Sequence, residues 1–161
     1  MKIKFFAVGG TIDKVYFDAL SKYEVGESNI GDILKDARVN FKYDVSSILK
    51  KDSLEMTDKD RLTIRQAVQD EPNDKIIITH GTDTMIETAK ALGTVKNKVI
   101  VLTGAMEPAK FKSSDAIFNL GSAVAAVQIL PNGVYLAISG KIFTPENVRK
   151  NRILKLFEEK I

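Results

Sequence analysis

Four short apolar runs stand out along the chain. They cover residues 2–8 (KIKFFAV), 75–79 (KIIIT), 98–103 (KVIVLT) and 134–139 (VYLAIS). Each run is rich in β-branched or aromatic residues, and three of them are continuously apolar. Strands with this composition are buried on both faces, as in a parallel sheet that is covered by helices.

The segments between these runs show mostly helical spacing. Thr57 is a suitable N-cap for the helix that follows it, and Gly93 is a C-cap signal. Residues 39–47 alternate instead and predict another strand. Strands alternating with helices indicate an α/β fold: an open, mostly parallel sheet with helices on both faces, Rossmann-like or flavodoxin-like. The predicted helices cover residues 29–37, 58–70, 83–93, 114–130 and the apolar-periodic tail 147–161.

The composition narrows the class of protein. A length of 161 residues fits a single domain, and 44% hydrophobic with 28% charged residues is typical of a soluble globular protein. The net charge of +3 is spread over residues of both signs, so we expect no nucleic-acid partner. The absence of cysteine excludes thiol chemistry, and a single histidine excludes a histidine-rich metal site within the chain.

The N-terminal segment MKIKFFAVGG predicts a first strand. It contains two lysines and a short apolar stretch, but neither a full apolar signal region nor a small-residue cleavage site. No run approaches the ~18 apolar residues of a membrane span. We therefore expect no membrane partner and a cytoplasmic location.

Glycine and hydroxyl residues follow three of the predicted strands, at GGT (9–11), HGTDT (80–84) and TGAM (103–106). In open α/β sheets, ligands bind in the crevice beyond the carboxyl ends of the strands. Glycine allows a sharp turn and a close approach of the backbone. The N–H groups that follow can hold a carboxylate or a developing oxyanion. Residues from all three motifs are therefore expected to converge: Thr11, Thr82, Asp83 and Ala105.

A hydroxyl nucleophile fits these motifs better than a phosphate ligand, because no G-x-G-x-x-G or G-x-x-x-x-G-K-[ST] pattern occurs. A threonine needs a neighbouring base, and a lysine near a carboxylate can serve. Asp83 and a lysine of segment 146–152 offer that pair. Asp83 also suits the N-cap of the predicted 83–93 helix, which is compatible with ligand binding. His80, at the end of an apolar run, is expected to be packed and hydrogen-bonded.

The same motifs continue into longer matches, GGTI (9–12), THGTDTMIETA (79–89) and LTGAM (102–106). In this order they resemble the bacterial-type L-asparaginase/glutaminase family. The resemblance extends over essentially the whole chain. Further matching segments are SKYEVG (21–26), DSLEMTD (52–58), SSD followed by NL (113–120) and NVRKN (147–151).

The resemblance implies hydrolysis of the side-chain amide of L-asparagine, with L-glutamine as a second candidate substrate. It implies that Thr11 or Thr82 attacks the amide, and that Thr11 forms the acyl-enzyme with help from Tyr23. Thr82, Asp83 and Lys150 would form a proton relay. The resemblance implies no metal and no organic cofactor.

The resemblance also assigns residues that bind the substrate. Ser53 would hold the α-carboxylate, and Asp83 would pair with the α-ammonium. The backbone carbonyl of Ala105 would receive the amide nitrogen. Gly10 and Thr82 are expected to contact the substrate as well, with the Thr82 N–H as a donor to the oxyanion.

Full-length members of this family are about twice as long as this chain. We therefore expect a single asparaginase N-terminal-type domain over residues 1–161, without the C-terminal domain. Two alternatives remain open: a weakly active or inactive module that binds a small amide or amino acid, and a truncated subunit that depends on a partner. A homodimer is expected as one possible assembly, and Tyr16 competes with Tyr23 for the loop-tyrosine role.

Overall fold

The computed structural model describes residues 1–160, which fold into a central sheet between two helical layers. The strands are β1 (Lys2–Gly9), β2 (Lys14–Phe17), β3 (Lys22–Val25), β4 (Lys42–Lys51), β5 (Lys75–Thr79), β6 (Val99–Thr103), β7 (Gly133–Ile138), β8 (Lys141–Phe143), β9 (Arg149–Asn151) and β10 (Leu156–Glu158). The helices are α1 (Ile30–Asp36), α2 (Asp58–Asp70), α3 (Met85–Leu92) and α4 (Ala116–Ile129).

The main sheet has the strand order β4-β1-β5-β6-β7-β8 within residues 1–160. Its strands are parallel except for β8, which pairs antiparallel with β7. The chain moves from β1 outward to β4 and then returns to the other side of β1 with β5. The strand order therefore reverses between β1 and β5, which is where such sheets bind ligands. This confirms the predicted open, mostly parallel sheet.

Alternate residues of each central strand enter opposite cores. In β5, Ile76 and Ile78 pack with the layer formed by α2 and α3, whereas Ile77 packs with the layer formed by α1 and α4. All three isoleucines are fully buried. A continuous apolar run is thus explained by burial on both faces, as predicted.

The C-terminal tail corrects one prediction. Residues 147–161 were expected to be helical, but β9 and β10 form an antiparallel hairpin, and Ile161 lies outside the described residues. The Asn151 side chain accepts the N–H groups of Ile153 and Leu154, at 3.1 and 3.0 Å. Such a side-chain turn competes with helix formation. Of the apolar residues that suggested a helix, Phe157 is buried, while Ile153 is 92% exposed.

Segment 14–25 forms a second small hairpin, because β2 and β3 pair antiparallel. No strand was predicted here, and the loop-tyrosine candidates Tyr16 and Tyr23 both lie on these strands. Hydrophobic periodicity gave no signal there, since both strands are short and partly exposed. No helix within residues 1–160 has the length and apolar character needed to cross a bilayer.

The start of α2 supports a prediction about stability. Thr57 is its N-cap, as expected: its hydroxyl accepts the Asp60 N–H at 3.3 Å, and the Asp60 carboxylate accepts the Thr57 N–H at 2.8 Å. We expect Thr57→Ala to lower the free energy of unfolding by about 1 kcal/mol, because it leaves an N–H group of the first turn without a partner. Urea denaturation measures this change. Thr63→Ala on the exposed face of the same helix is the control; an equal loss in both variants would contradict the capping role.

Candidate active site

Three loops meet at the carboxyl ends of β1, β5 and β6 because their backbones touch at glycines. Gly10 has φ +90°, and a Cβ added there would lie 2.4 Å from the N and Cα atoms of Gly81. A Cβ on Gly104 would lie 2.2 Å from the carbonyl oxygen of His80. No side chain fits at such distances. The glycines therefore let the loops pack main chain against main chain and bring the neighbouring hydroxyl residues together.

Ser53, which follows β4, packs against the same junction of loops. A Cβ on Gly81 would lie 2.5 Å from the Cβ and Oγ atoms of Ser53. The Thr84 hydroxyl donates to the Ser53 carbonyl oxygen at 2.7 Å. Ser53 is buried. In this structure it therefore packs beneath the loop that follows β5, and its predicted contact with a substrate carboxylate stays a prediction.

A cavity of about 270 Å³ opens above this junction. Its volume suits a small ligand, since pockets for drug-sized ligands span roughly 300–1,000 Å³. Four of the five predicted catalytic residues line it, although 139 positions separate the first from the last. The lining residues are Thr11, Thr82, Asp83, Met106, Lys150, Arg152 and Lys155.

Lys150 connects the polar groups of the cavity. Its Nζ donates to the Thr82 hydroxyl oxygen and to Oδ1 of Asp83, each at 2.8 Å. Thr82 is buried, and the side chains of Lys150 and Asp83 are largely shielded from solvent. The hydroxyl, the amine and the carboxylate thus form a continuous hydrogen-bonded chain, in which the amine can take up a proton only when it is uncharged.

Asp83 is held by two cations. Arg152 Nη1 donates to the same Oδ1 atom at 2.7 Å. Partial burial raises the pKa of Asp83, but the hydrogen bond and charge of Lys150, followed by those of Arg152, outweigh burial and lower it below its usual range. The predicted N-cap role of Asp83 was wrong: α3 begins at Met85 with Thr84 in the cap position. The Asp83 side chain turns toward the C-terminal hairpin instead.

The hairpin geometry explains why Arg152 reaches Asp83, a contact that the sequence analysis missed. Lys150 lies on β9 and Arg152 follows directly after this strand, at the start of the turn. Along a strand, residues two apart point to the same side, whereas in a helix they diverge. Lys150 and Arg152 both contact Asp83, while Arg149 and Asn151 both contact Glu158 on the other side. A helix has no such alternation, so the helical prediction for residues 147–161 gave no indication that Arg152 would contact Asp83.

Tyr23 lies in a different place from the other predicted catalytic residues. It is half-exposed on β3, and its ring packs against those of Tyr16 and Phe111, with centroids 5.4 and 5.7 Å apart. It lines a separate cleft with Lys14 and Asp52. Its catalytic role, and the choice between Tyr23 and Tyr16, stay predictions.

Ala105 and Gly10 lie beside the cavity. Ala105 is buried against Ile12 and Ala116, and the adjacent Met106 lines the cavity. Gly10 precedes Thr11 directly, and its N–H donates to the Lys51 carbonyl oxygen at 2.9 Å. The substrate contacts expected of both residues stay predictions.

His80 is part of the core and not of the cavity, as predicted. It is fully buried, and burial lowers its pKa to about 4. Its Nδ1 lies 2.8 Å from the Gly81 carbonyl oxygen, which can only accept, so Nδ1 carries the proton. Nε2 must then accept from the Thr88 hydroxyl, 2.8 Å away. Both ring nitrogens are therefore engaged, Nδ1 with the loop that follows β5 and Nε2 with α3.

Comparison with known proteins agrees with this geometry. The family model described as "Asparaginase, N-terminal" matches residues 2–156, a stretch that includes the three glycine loops and the first strand of the C-terminal hairpin, β9. The chain belongs to the asparaginase family.

Individual relatives extend the comparison. An L-asparaginase of Thermococcus kodakarensis is 35% identical over 168 aligned residues, which cover 97% of this chain and 49% of that protein. A glutaminase-asparaginase of Acinetobacter glutaminasificans is 39% identical over 104 residues, covering 59% of this chain and 31% of that protein.

The solved structures agree at the level of the fold. The structure of the thermostable L-asparaginase from Thermococcus kodakarensis superposes with a TM-score of 0.85 at 31% identity, covering 99% of this chain and 51% of the solved one. The chain thus spans about half the length of these full-length asparaginases.

The glycine junction makes a testable prediction. Gly81→Ala places a methyl group against Ser53, and such overpacking typically costs about 1–3 kcal/mol. We expect a lower free energy of unfolding, measured by urea denaturation. Gly121→Ala is the matched control, because its Cβ would meet open space inside α4 and should stabilise the helix by about 0.5–1 kcal/mol. A tolerated Gly81→Ala would mean that the loops do not need this close contact.

Asp13 makes the stability depend on pH. It lies two residues after Thr11, is 2% exposed, and accepts the Asn29 N–H at 3.0 Å. Burial raises its pKa from 3.8 to about 6, against the opposing effect of the Asn29 hydrogen bonds. The folded state therefore binds this proton more tightly than the unfolded chain. The stabilisation that comes from this bound proton is complete below about pH 4, and it is lost as the pH rises through about 6.

We expect Asp13→Asn to stabilise the protein by up to about 3 kcal/mol at pH 8, because a neutral amide removes the buried charge. The gain should shrink as the pH falls toward 4. Thermal and urea unfolding at about pH 4, 6 and 8 measure the difference below, at and above the pKa of the folded state. Asp18→Asn, at an exposed position nearby, controls for net charge. A destabilising Asp13→Asn at pH 8 would show that the carboxylate is needed.

Proposed function

We propose that this chain hydrolyses the side-chain amide of L-asparagine to L-aspartate and ammonia. One observation carries the proposal: Thr11, Thr82, Asp83 and Lys150 line one small cavity, and Lys150 already bonds to Thr82 and Asp83. An amide is a poor electrophile, and its hydrolysis needs an activated nucleophile, a proton relay and a donor to the oxyanion. The cavity offers a group for each of these tasks.

Thr11 is the proposed nucleophile. Its hydroxyl oxygen attacks the amide carbon, and a tetrahedral intermediate forms with negative charge on the former carbonyl oxygen. The Thr82 N–H is the proposed donor to that oxyanion. The intermediate collapses by breaking the carbon–nitrogen bond, which leaves an ester on Thr11 and releases ammonia.

Thr82, Lys150 and Asp83 move the protons in this proposal. In its uncharged form the Lys150 amine takes up the proton of the Thr11 hydroxyl by way of the Thr82 hydroxyl. The ammonium that results pairs with the Asp83 carboxylate, which is the pair seen in this structure. The proton then passes to the departing nitrogen. A water molecule, activated by the same groups, attacks the ester and regenerates the Thr11 hydroxyl.

The substrate class follows from the relatives and from the cavity volume. Relatives named L-asparaginase and glutaminase-asparaginase support L-asparagine and, secondly, L-glutamine. Both are amino acids small enough for a cavity of about 270 Å³. The cytoplasmic location and the homodimer expected from the sequence stay predictions.

Removal of the nucleophile or the relay tests the proposal. We expect the 161-residue chain to release ammonia from L-asparagine, and Thr11→Ala to lower the rate at least about 10³-fold. Lys150→Met should lower it about 10²–10⁴-fold, because it removes the proposed proton acceptor. A coupled ammonia assay measures the rates. Thr63→Ala, at an exposed position on α2, is the control and should leave the rate unchanged.

Two results would contradict the proposal. Ammonia release that persists in both Thr11→Ala and Thr82→Val would exclude a threonine nucleophile in this cavity. Stabilisation of the wild-type chain by L-asparagine without any ammonia release would indicate a binding module instead of an enzyme.

A further inference from the structure

Two side chains at the start of α4 hold the loop that follows β6. The Asp115 carboxylate accepts the Met106 N–H at 2.9 Å (Oδ1) and 3.1 Å (Oδ2), and Oδ1 also accepts the Glu107 N–H at 3.3 Å. The Asn119 side chain donates to the Gly104 carbonyl oxygen at 2.9 Å and to Asp115 Oδ2 at 2.8 Å. Three backbone groups of this loop are therefore fixed by one helix.

One carbonyl group of this loop, that of Ala105, is buried without a partner. Ala105 is 1% exposed, yet no hydrogen-bond donor within residues 1–160 reaches its carbonyl oxygen. Buried carbonyl groups are usually hydrogen-bonded, so an unpaired one beside a cavity is a candidate acceptor for a ligand. Ala105 packs against Ile12, the residue that follows Thr11, and the adjacent Met106 lines the cavity. The unpaired acceptor therefore lies beside the proposed nucleophile.

Asp115 sets the direction of that carbonyl group. The Ala105 carbonyl and the Met106 N–H belong to one peptide group, and in a planar trans peptide these two bonds point in opposite directions. Because the Met106 N–H points to the Asp115 carboxylate, the Ala105 oxygen points away from it. Met106 lines one cavity with Asp115 and a second cavity with Thr11. Met106 therefore lies between Asp115 and the nucleophile, with the Ala105 oxygen on the side away from Asp115.

We propose that Asp115 is a positioning residue, which orients the Ala105 carbonyl to accept an N–H of the substrate amide. The amide thereby gains an interaction that the matching ester lacks. An amide nitrogen has hydrogens to donate, whereas the oxygen of an ester leaving group can only accept and leaves the buried carbonyl unpaired. Asp115 itself touches no reacting atom. The inference rests on the proposed amide hydrolysis for its kinetic test and on ligand binding alone for its second test.

The kinetic test compares L-asparagine with the β-methyl ester of L-aspartate, in which OCH3 replaces the amide NH2. Both compounds would form the same acyl-enzyme on Thr11 and release L-aspartate, so their kcat/KM values differ only in the steps up to loss of ammonia or methanol. We expect Asp115→Ala to lower kcat/KM for L-asparagine at least about tenfold, and that for the ester less than about threefold. Asp115→Asn keeps one acceptor oxygen for the Met106 N–H and should give an intermediate result.

Ser113→Ala is the matched control. Ser113 lies two residues before Asp115, and its hydroxyl donates to the Glu107 carboxylate at 2.7 Å and not to the backbone of the loop. This variant should leave the ratio of the two kcat/KM values unchanged. Unfolded protein is inactive on both compounds, so a loss of stability in Asp115→Ala cancels in that ratio. An equal loss for amide and ester would show that Asp115 only supports the fold, and would overturn the inference while leaving the amidohydrolase intact.

A binding test separates this inference from the proposed function. In Thr11→Ala, which lacks the proposed nucleophile, calorimetry should give a Kd for L-asparagine at least about threefold lower than for the methyl ester. Adding Asp115→Ala should remove this difference, and adding Ser113→Ala should keep it. That result, with a wild-type chain that releases no aspartate from either compound, would support the positioning role and contradict the enzyme. Equal Kd values in Thr11→Ala, or no binding of either compound, would overturn the inference.

Discussion

The site depends on backbone-to-backbone contact between the loops at the carboxyl ends of neighbouring strands. Gly10 lies against Gly81, and Gly104 lies against the His80 carbonyl, at distances that leave no space for a Cβ. Because the main chains touch, the residues beside these glycines are forced into one small cavity. Thr11 and Thr82 line that cavity from two different loops.

The C-terminal hairpin completes the cavity and sets its charge. It is fastened to the sheet by the buried Phe157. Lys150 lies on β9 and Arg152 begins the turn that follows, and both side chains contact Asp83. The carboxylate of Asp83 forms ion pairs with both of these side chains. A helical tail, as the sequence suggested, would have separated these two residues around its axis. The error in secondary structure was therefore also an error about the electrostatics of the site.

The sheet was predictable because burial on both faces leaves continuous apolar runs. Ile76, Ile77 and Ile78 show why: each belongs to one of the two cores, so none is polar. The two hairpins were missed for the opposite reason. Segment 14–25 is half-exposed, and the turn after Asn151 depends on one side chain that accepts two N–H groups. Neither feature produces a periodic pattern of hydrophobic residues in the sequence.

The sequence by itself determined the sheet, the glycine loops, the family, and four cavity residues: Thr11, Thr82, Asp83 and Lys150. Apolar runs and glycines at strand ends carry that information locally, because they reflect burial and backbone conformation at single positions. Only the tertiary structure decided that Tyr23 lies in another cleft and that Arg152 shares the Asp83 carboxylate. Both are matters of distance between segments that are far apart in the chain. Tertiary packing sets these distances, and a local sequence pattern does not encode them.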